Sequence, residues 1–291
     1  GEGCSNRCSY CIIPEIRGTS RSRTPRDILR EAHGLVDCGI REIVLIAQDT
    51  TAYGRDLRKS GAGLPALIRN LSAIDDLAWI RLLYAHPAHL TEDVLFAMAA
   101  SEKACRYLDL PIQHIDDVVL KAMNRRTDRK RIVHLIQQAR EILPGVALRT
   151  SIITGFPGET EARFNSLLDF IREIRFNHLG VFTYSREEGT RASLFPSRIS
   201  EREKQRRQDL LMEEQAAISR QINRSLIGSR QEVLIEGKSD RPDYGFFGRC
   251  RSQAPEIDGI TYIRGKKLKA GEIRTCTVRE AAEYDLFADV S

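Results

Sequence analysis

Cys4, Cys8 and Cys11 form a Cys-x3-Cys-x2-Cys run at the start of the chain, set in Gly3-Cys4-Ser5-Asn6-Arg7-Cys8-Ser9-Tyr10-Cys11. Three thiolates so close together tie a loop around a metal group, and that tie limits what the rest of the chain can build. Cluster-binding thiolates usually come in fours. A trio with no fourth cysteine nearby leaves one iron of a cubane cluster without a protein ligand, open to a small molecule. Small and polar residues let the loop wrap tightly, Tyr10 sets an aromatic ring between the last two ligands, and Arg7 adds a positive charge that favours thiolate. Zinc is the competing occupant. A structural zinc site wants a fourth Cys or His at short spacing, and the nearest, His33 and Cys38, lie beyond an expected helix. Disulfides fit worse, because seven cysteines is an odd number and the Lys/Arg/Glu-rich composition suits a reducing compartment. Cys38, Cys105, Cys250 and Cys276 have no metal spacing among themselves and read as free buried thiols.

A length of 291 residues allows one large domain and a small one. No apolar run is long enough to span a bilayer and no secretory signal is present, so a soluble cytoplasmic protein is expected, with no membrane partner. The net charge of +5 is too small to imply nucleic acid by itself. Its distribution is uneven: Arg17, Arg21, Arg23, Arg26 and Arg30 cluster after the cysteines, and Lys121, Arg125, Arg126, Arg129, Lys130 and Arg131 make a second basic stretch. A phosphate backbone is one reading of such runs, and a solvated helix surface is the commoner one.

From about residue 26, strand-like runs alternate with helical periodicity, which predicts repeated β-α units and a parallel sheet. The expected strands are Glu42 to Ala47, Trp79 to Tyr84, Arg106 to Leu110, Val146 to Ile153 and His178 to Tyr184, with a sixth ahead of Gly1. Ile132, Leu135, Ile136, Ala139 and Leu143 share one helix face, as do Phe164, Leu167, Leu168, Ile171 and Ile174. Active sites in β-α barrels gather at the carboxyl ends of the strands. The segments there are Ala47-Gln48-Asp49-Thr50-Thr51, Tyr84-Ala85-His86-Pro87, Leu110-Pro111-Ile112-Gln113-His114 and Arg149 to Thr160. In the last of these, Gly155 and Gly158 permit close backbone approach to a ligand, and Glu159 is expected to open a helix.

The cysteine spacing, with an aromatic before the last Cys, resembles the signature of the radical S-adenosylmethionine (SAM) enzymes. The resemblance implies a partial (β/α)6 TIM-like barrel whose cysteine loop follows the first strand. It also implies a [4Fe–4S] cluster on Cys4, Cys8 and Cys11 whose unligated iron chelates SAM, and a 5′-deoxyadenosyl radical formed from it. Tyr10 would lie near the adenine, and Gln113, Arg149, Ser151 and Gly155 are candidate SAM contacts. Where many members of that family carry Gly-Glu-Glu for the SAM amino group, Ala47-Gln48-Asp49 stands here. This departure leaves the amino-group ligand open; backbone carbonyls at those positions could still serve, and Gln48 is a further candidate SAM contact.

Cys-Ser-Tyr-Cys-Ile-Ile-Pro (8 to 14), Leu-Asp-Leu-Pro-Ile-Gln-His (108 to 114), Thr-Gly-Phe-Pro-Gly-Glu-Thr (154 to 160) and Phe-Thr-Tyr-Ser-Arg-Glu-Glu-Gly-Thr (182 to 190) further resemble the methylthiotransferases. Gln48-Asp49-Thr50-Thr51 and Pro111-Ile112-Gln113-His114 resemble the RimO type, which modifies the β-carbon of an aspartate in small-subunit ribosomal protein S twelve. The branch that modifies a transfer-RNA adenosine tends to carry Gln-Asn-Val-Asn and Gln-Ser-Gly instead. Such enzymes have an amino-terminal domain with its own three-cysteine cluster, the radical SAM barrel and a TRAM domain. This chain begins almost on the cysteine loop, so a fragment is expected, with the second [4Fe–4S] cluster lying in an upstream domain.

From about Ser225 the texture changes to short apolar runs split by Gly, Pro and Asp, after a helix of roughly Glu201 to Ile222. That pattern predicts a small antiparallel barrel and resembles an OB-like TRAM domain. The expected division is a radical SAM core at 1–222 and a TRAM domain at 223–291. Residues 223–291 hold 12 Lys/Arg against 11 Asp/Glu, a net +1, which is a poor counter-ion for phosphate. A protein partner is therefore expected ahead of nucleic acid, and the resemblance implies that it is ribosomal protein S twelve, bound through the TRAM domain, with an electron donor besides. A zinc-stabilised RNA-binding module is the non-enzymatic reading.

Overall fold

Two sequence periods, 3.6 and 2, alternate between Pro25 and Thr183, and the chain folds accordingly. The computed structural model describes residues 1–57, 63–196 and 199–291. Its parallel strands are β1 (Glu42–Leu45), β2 (Trp79–Leu82), β3 (Tyr107–Asp109), β4 (Ala147–Thr154) and β5 (His178–Thr183). Its helices are α1 (Ile13–Arg17), α2 (Pro25–Asp37), α3 (Leu64–Ser72), α4 (Glu92–Ala99), α5 (Asp117–Ala122), α6 (Arg129–Ile142), α7 (Glu161–Ile174) and α8 (Glu201–Ser225). Side-chain caps start several of them: Thr24, Asp128, Thr160 and Ser200 accept from the backbone amides of Asp27, Arg131, Arg163 and Glu203.

β1 pairs with β2, and β3, β4 and β5 form a second sheet. An Ile80–Ala104 bridge joins the two into an open, partial barrel. Alternation along each strand gives the arc two unlike faces. Ile43, Leu45, Ile80, Leu82, Leu108, Leu148, Ile152, Leu179 and Val181 point outward into the main apolar core beneath the helices. Glu42, Arg81, Asp109 and Arg149 belong to the other face and are joined there by ion pairs. Trp79, Cys105, Tyr107 and Ala147 share that face and pack with Leu234 and Ala254 of the carboxyl-terminal domain.

That domain is a closed barrel of β6 (Arg230–Lys238), β7 (Phe246–Cys250), β8 (Thr261–Arg264), β9 (Ile273–Ala281) and β10 (Leu286–Val290), in the order β10-β8-β7-β6-β9. Its own small core includes Val233, Ile235, Ile263, Val278 and Leu286. Among the described residues no helix is long and apolar enough to cross a membrane.

Several expectations need correction. Cys105, Cys250 and Cys276 are buried free thiols, but Cys38 is exposed at the end of α2. His33 lies within α2 rather than beyond it. Glu159 does not open α7, because Thr160 is the cap; Glu159 is instead buried against Arg207. Strand β10 escapes the sequence reading altogether.

Candidate active site

The cysteine loop is held from three directions. Gly3 has φ +71°, and a Cβ there would stand 2.2 Å from the Thr19 carbonyl oxygen, so only glycine passes this point. The Cys4 amide donates to Gly18 O at 3.0 Å. Ser9 donates its amide to Met123 O (2.9 Å) and its hydroxyl to Ala122 O (2.7 Å), at the end of α5. Asn6 donates to the Asp49 carboxylate at 2.7 Å, which ties the loop to the end of β1.

Cys4, Cys8 and Cys11 all line one cavity of about 550 Å³, within the usual range for a small-molecule site. Tyr10, Gln48, Gln113, Arg149 and Ser151 line the same cavity. Gly155 does not. It faces Lys204, whose Cγ would lie 2.2 Å from an added Cβ, and its amide donates to Glu159. Glu159 also meets His114 Nε2 at 3.2 Å and Arg207 at 2.8 Å, so His114 and Glu159 brace two loops behind the cavity wall. His86, by contrast, faces the cavity.

Gln113 and Tyr84 reach the cavity from strained backbone. Both are non-glycine residues in the left-handed region, at φ 70° and 59°. Such residues cost on the order of 1–3 kcal/mol each and cluster at functional sites. Gln113 is locked there by its amide to Ser151 O and its carbonyl from Ile153 N, each 2.9 Å.

The charge beside the cysteines does not come from Arg7, which is exposed. Arg125 supplies it. Although it belongs to the second basic stretch, it is only 4% exposed, with Nη1 3.5 Å from Cys8 Sγ and 3.4 Å from the Tyr10 hydroxyl. No local signal separates Arg125 from its basic neighbours, and its contacts lie 115 and 117 residues away. Burial pushes the Cys4 and Cys11 thiols up, and Arg125 works against this at Cys11. Tyr10 also packs edge-on to the buried Phe156 ring.

The three sulfurs are too spread for one ion. A tetrahedral zinc thiolate at roughly 2.3 Å needs its sulfurs about 3.8 Å apart. Among the described residues, only Asp49, His86 and His89 bring three ligating atoms within 4.8 Å of one another; the cysteine trio does not. The donor set suits a wider, soft, polynuclear group. The Asp49 carboxylate is already committed to Asn6, Thr51 and His89, and although burial pushes its acidity the other way, those bonds hold it well below the usual range.

The Radical SAM superfamily model matches residues 1–171, and the TRAM domain model matches residues 227–290. The chain belongs to the radical SAM superfamily. Two curated relatives named ribosomal protein uS12 methylthiotransferase RimO are similar along nearly the whole chain. The protein of Syntrophus aciditrophicus is 56% identical over 99% of this chain and 64% of its own length. That of Geobacter sulfurreducens is 50% identical, over the same shares. The chain thus spans just under two thirds of the length of these relatives. Among solved structures, coproporphyrinogen III oxidase (HemN) from Escherichia coli, itself called a radical SAM enzyme, matches with a TM-score of 0.50 at 20% identity. The match covers 76% of this chain and 51% of that one, and it supports the shared radical SAM fold alone.

Proposed function

We propose that this chain is the cofactor-binding and TRAM portion of a methylthiotransferase that adds a methylthio group to the β-carbon of an aspartate in ribosomal protein S twelve. The observation that carries the reading is 56% identity, across 99% of the chain, to a relative of that name. When bound, a [4Fe–4S] cluster and SAM supply the one-electron chemistry able to break an unactivated C–H bond. This chain's residues hold and orient them. Cys4, Cys8 and Cys11 are the cluster ligands; Tyr10, Gln48, Gln113, Arg149 and Ser151 surround SAM; and Gly155 supports the wall from behind. Tyr10, Tyr184 and Phe195 each pack edge-on to the buried Phe156 ring and make that side of the cavity apolar. A second cluster, outside residues 1–291, completes the reading as sulfur carrier.

We take 1–222 as the radical SAM core and 223–291 as the TRAM domain, which would contact the ribosomal protein. The cluster's one-electron chemistry calls for an electron donor, and a ribosomal-protein substrate for a cytoplasmic location. Anaerobic reconstitution should give iron and acid-labile sulfide at about four each per chain. Stoichiometric zinc alone would overturn the cluster, and unchanged SAM cleavage in Cys8→Ala would overturn the ligand set.

One observation favours a transfer-RNA adenosine instead. On the TRAM barrel the Tyr262 and Phe287 rings stack at 5.4 Å, with Arg241 4.3 Å above Tyr262, a combination that suits nucleic-acid bases. Mass spectrometry of cells lacking the gene separates the two: the methylthio group should vanish from the ribosomal protein, and its loss from transfer RNA would favour the alternative.

A further inference from the structure

The carboxyl-terminal barrel reaches into the cavity. Leaving β7, the segment from Cys250 to Asp258 lies across the inner face of the partial barrel. Arg81 donates to Arg251 O at 2.8 Å, and His178 Nε2 lies 2.8 Å from Ser252 O. Ala254 is buried beside Trp79 and Tyr107, and Ile257 lines the cavity itself. Asp258 ends the segment with a side chain only 1% exposed. Its Oδ2 accepts from the Tyr107 hydroxyl at 2.6 Å and from the Ala254 amide at 2.8 Å. Its Oδ1 accepts no hydrogen bond and lies 3.5 Å from Arg149 Nε.

Arg149 is thereby held from two domains. Nη1 donates to Asp109 Oδ1 at 2.9 Å, and Nε faces Asp258. Nη2 meets no acceptor among the described residues, although Arg149 lines the cavity. A guanidinium gripped at two of its three nitrogens, Nη1 and Nε, by separate buried carboxylates offers the donors of the third in a fixed direction. If it swings away, the buried Asp258 Oδ1 keeps only His178 Nδ1, also at 3.5 Å, to face it.

We infer that Asp258, a residue of the carboxyl-terminal barrel, is a positioning residue for the cofactor cavity of the α/β domain. Together with Asp109 it fixes Arg149 so that Nη2 meets an acceptor atom of bound SAM. The TRAM domain then completes the cofactor site from inside, whatever it binds outside. This inference rests on the reading of the cavity as a SAM site.

The test uses the cluster-loaded protein and calorimetric titration with SAM. Asp258→Asn should raise the Kd about 10-fold, the scale of effects from residues that orient a direct contact, while iron content and the spectrum of the reduced cluster without SAM stay unchanged. Arg251→Ala loosens the same segment without touching Arg149, and should shift the Kd less than about twofold on this argument. In an Arg149→Lys background, Asp258→Asn should add little, because the two act as a unit. Equal losses in Asp258→Asn and Arg251→Ala, or full multiplication of the Arg149→Lys and Asp258→Asn effects, would reduce Asp258 to domain docking and overturn the inference. Iron-loaded parent protein that binds no SAM would instead overturn the cavity reading on which it rests.

Discussion

The five strands of the partial barrel carry two faces built on opposite principles. The outer face is aliphatic and covered by helices that follow each strand within the same β-α unit. The inner face carries Glu42, Arg81, Asp109 and Arg149, and it is covered by a cavity at one end and by a separate domain at the other. Apolar surface gains from any dry partner. Buried charge demands a particular partner, and several of those partners lie far away in sequence.

Glu42 gives the largest expected contrast. Its carboxylate accepts from Arg81 at 2.7 Å and from Arg249 of the TRAM barrel at 2.6 Å, and its side chain is buried. Burial pushes the Glu42 carboxyl up, yet the two guanidiniums hold it below its ordinary value. Glu42→Ala leaves the buried Arg81 without its carboxylate and Arg249 with Glu236 alone, and should cost about 3–5 kcal/mol in urea unfolding. Leu148→Ala on the outer face should cost a similar amount, about 2–5 kcal/mol. The faces separate in a second readout: proteolysis between α8 and β6 should quicken in Glu42→Ala alone. Equal cleavage in both variants would erase the distinction.

His86 tests the inner face by pH. Burial, then the nearby Arg125 charge, pushes its imidazole down to about 3. The unfolded chain takes up this proton below about 6.5, whereas folded protein refuses it until near 3. Stability must therefore fall as pH drops through that window. Between pH 6.5 and 5 the His86 share amounts to at most about 2 kcal/mol. His86→Gln should flatten the pH dependence of the urea midpoint by that share; parallel curves would show that His86 titrates normally.

Much of this architecture is legible in sequence because local periods report which face a residue belongs to. β1 to β5 begin within one residue of expectation, and α6 and α7 bury the expected faces. The cysteine loop and Gln113 were equally legible, since motif and strand end coincide. What period cannot report is what covers a face. No local period singles out Arg81 or Asp109 for an ion pair, and the Arg81 partner Arg251 O stands 170 residues later. β10 is five residues long and contains Asp289, too little for an alternating pattern to stand out. Glu159 had a plausible local role at a helix start, and a distant arginine overrode it.

The two basic clusters, alike in composition, should respond unequally. Arg125→Met removes a buried guanidinium from beside Cys8 and the Tyr10 hydroxyl, and reconstituted protein should lose iron to a chelator about 10-fold more readily. Arg23, in the earlier cluster, is half exposed and pairs with Glu31 on the surface. Solvent screens such a pair, and holding two long side chains together offsets most of its attraction. Arg23→Ala should shift unfolding by less than about 0.5 kcal/mol and leave iron retention at the parent level. Iron loss from Arg23→Ala matching that from Arg125→Met would mean that charge near the loop acts at long range, and the buried contact would lose its special role.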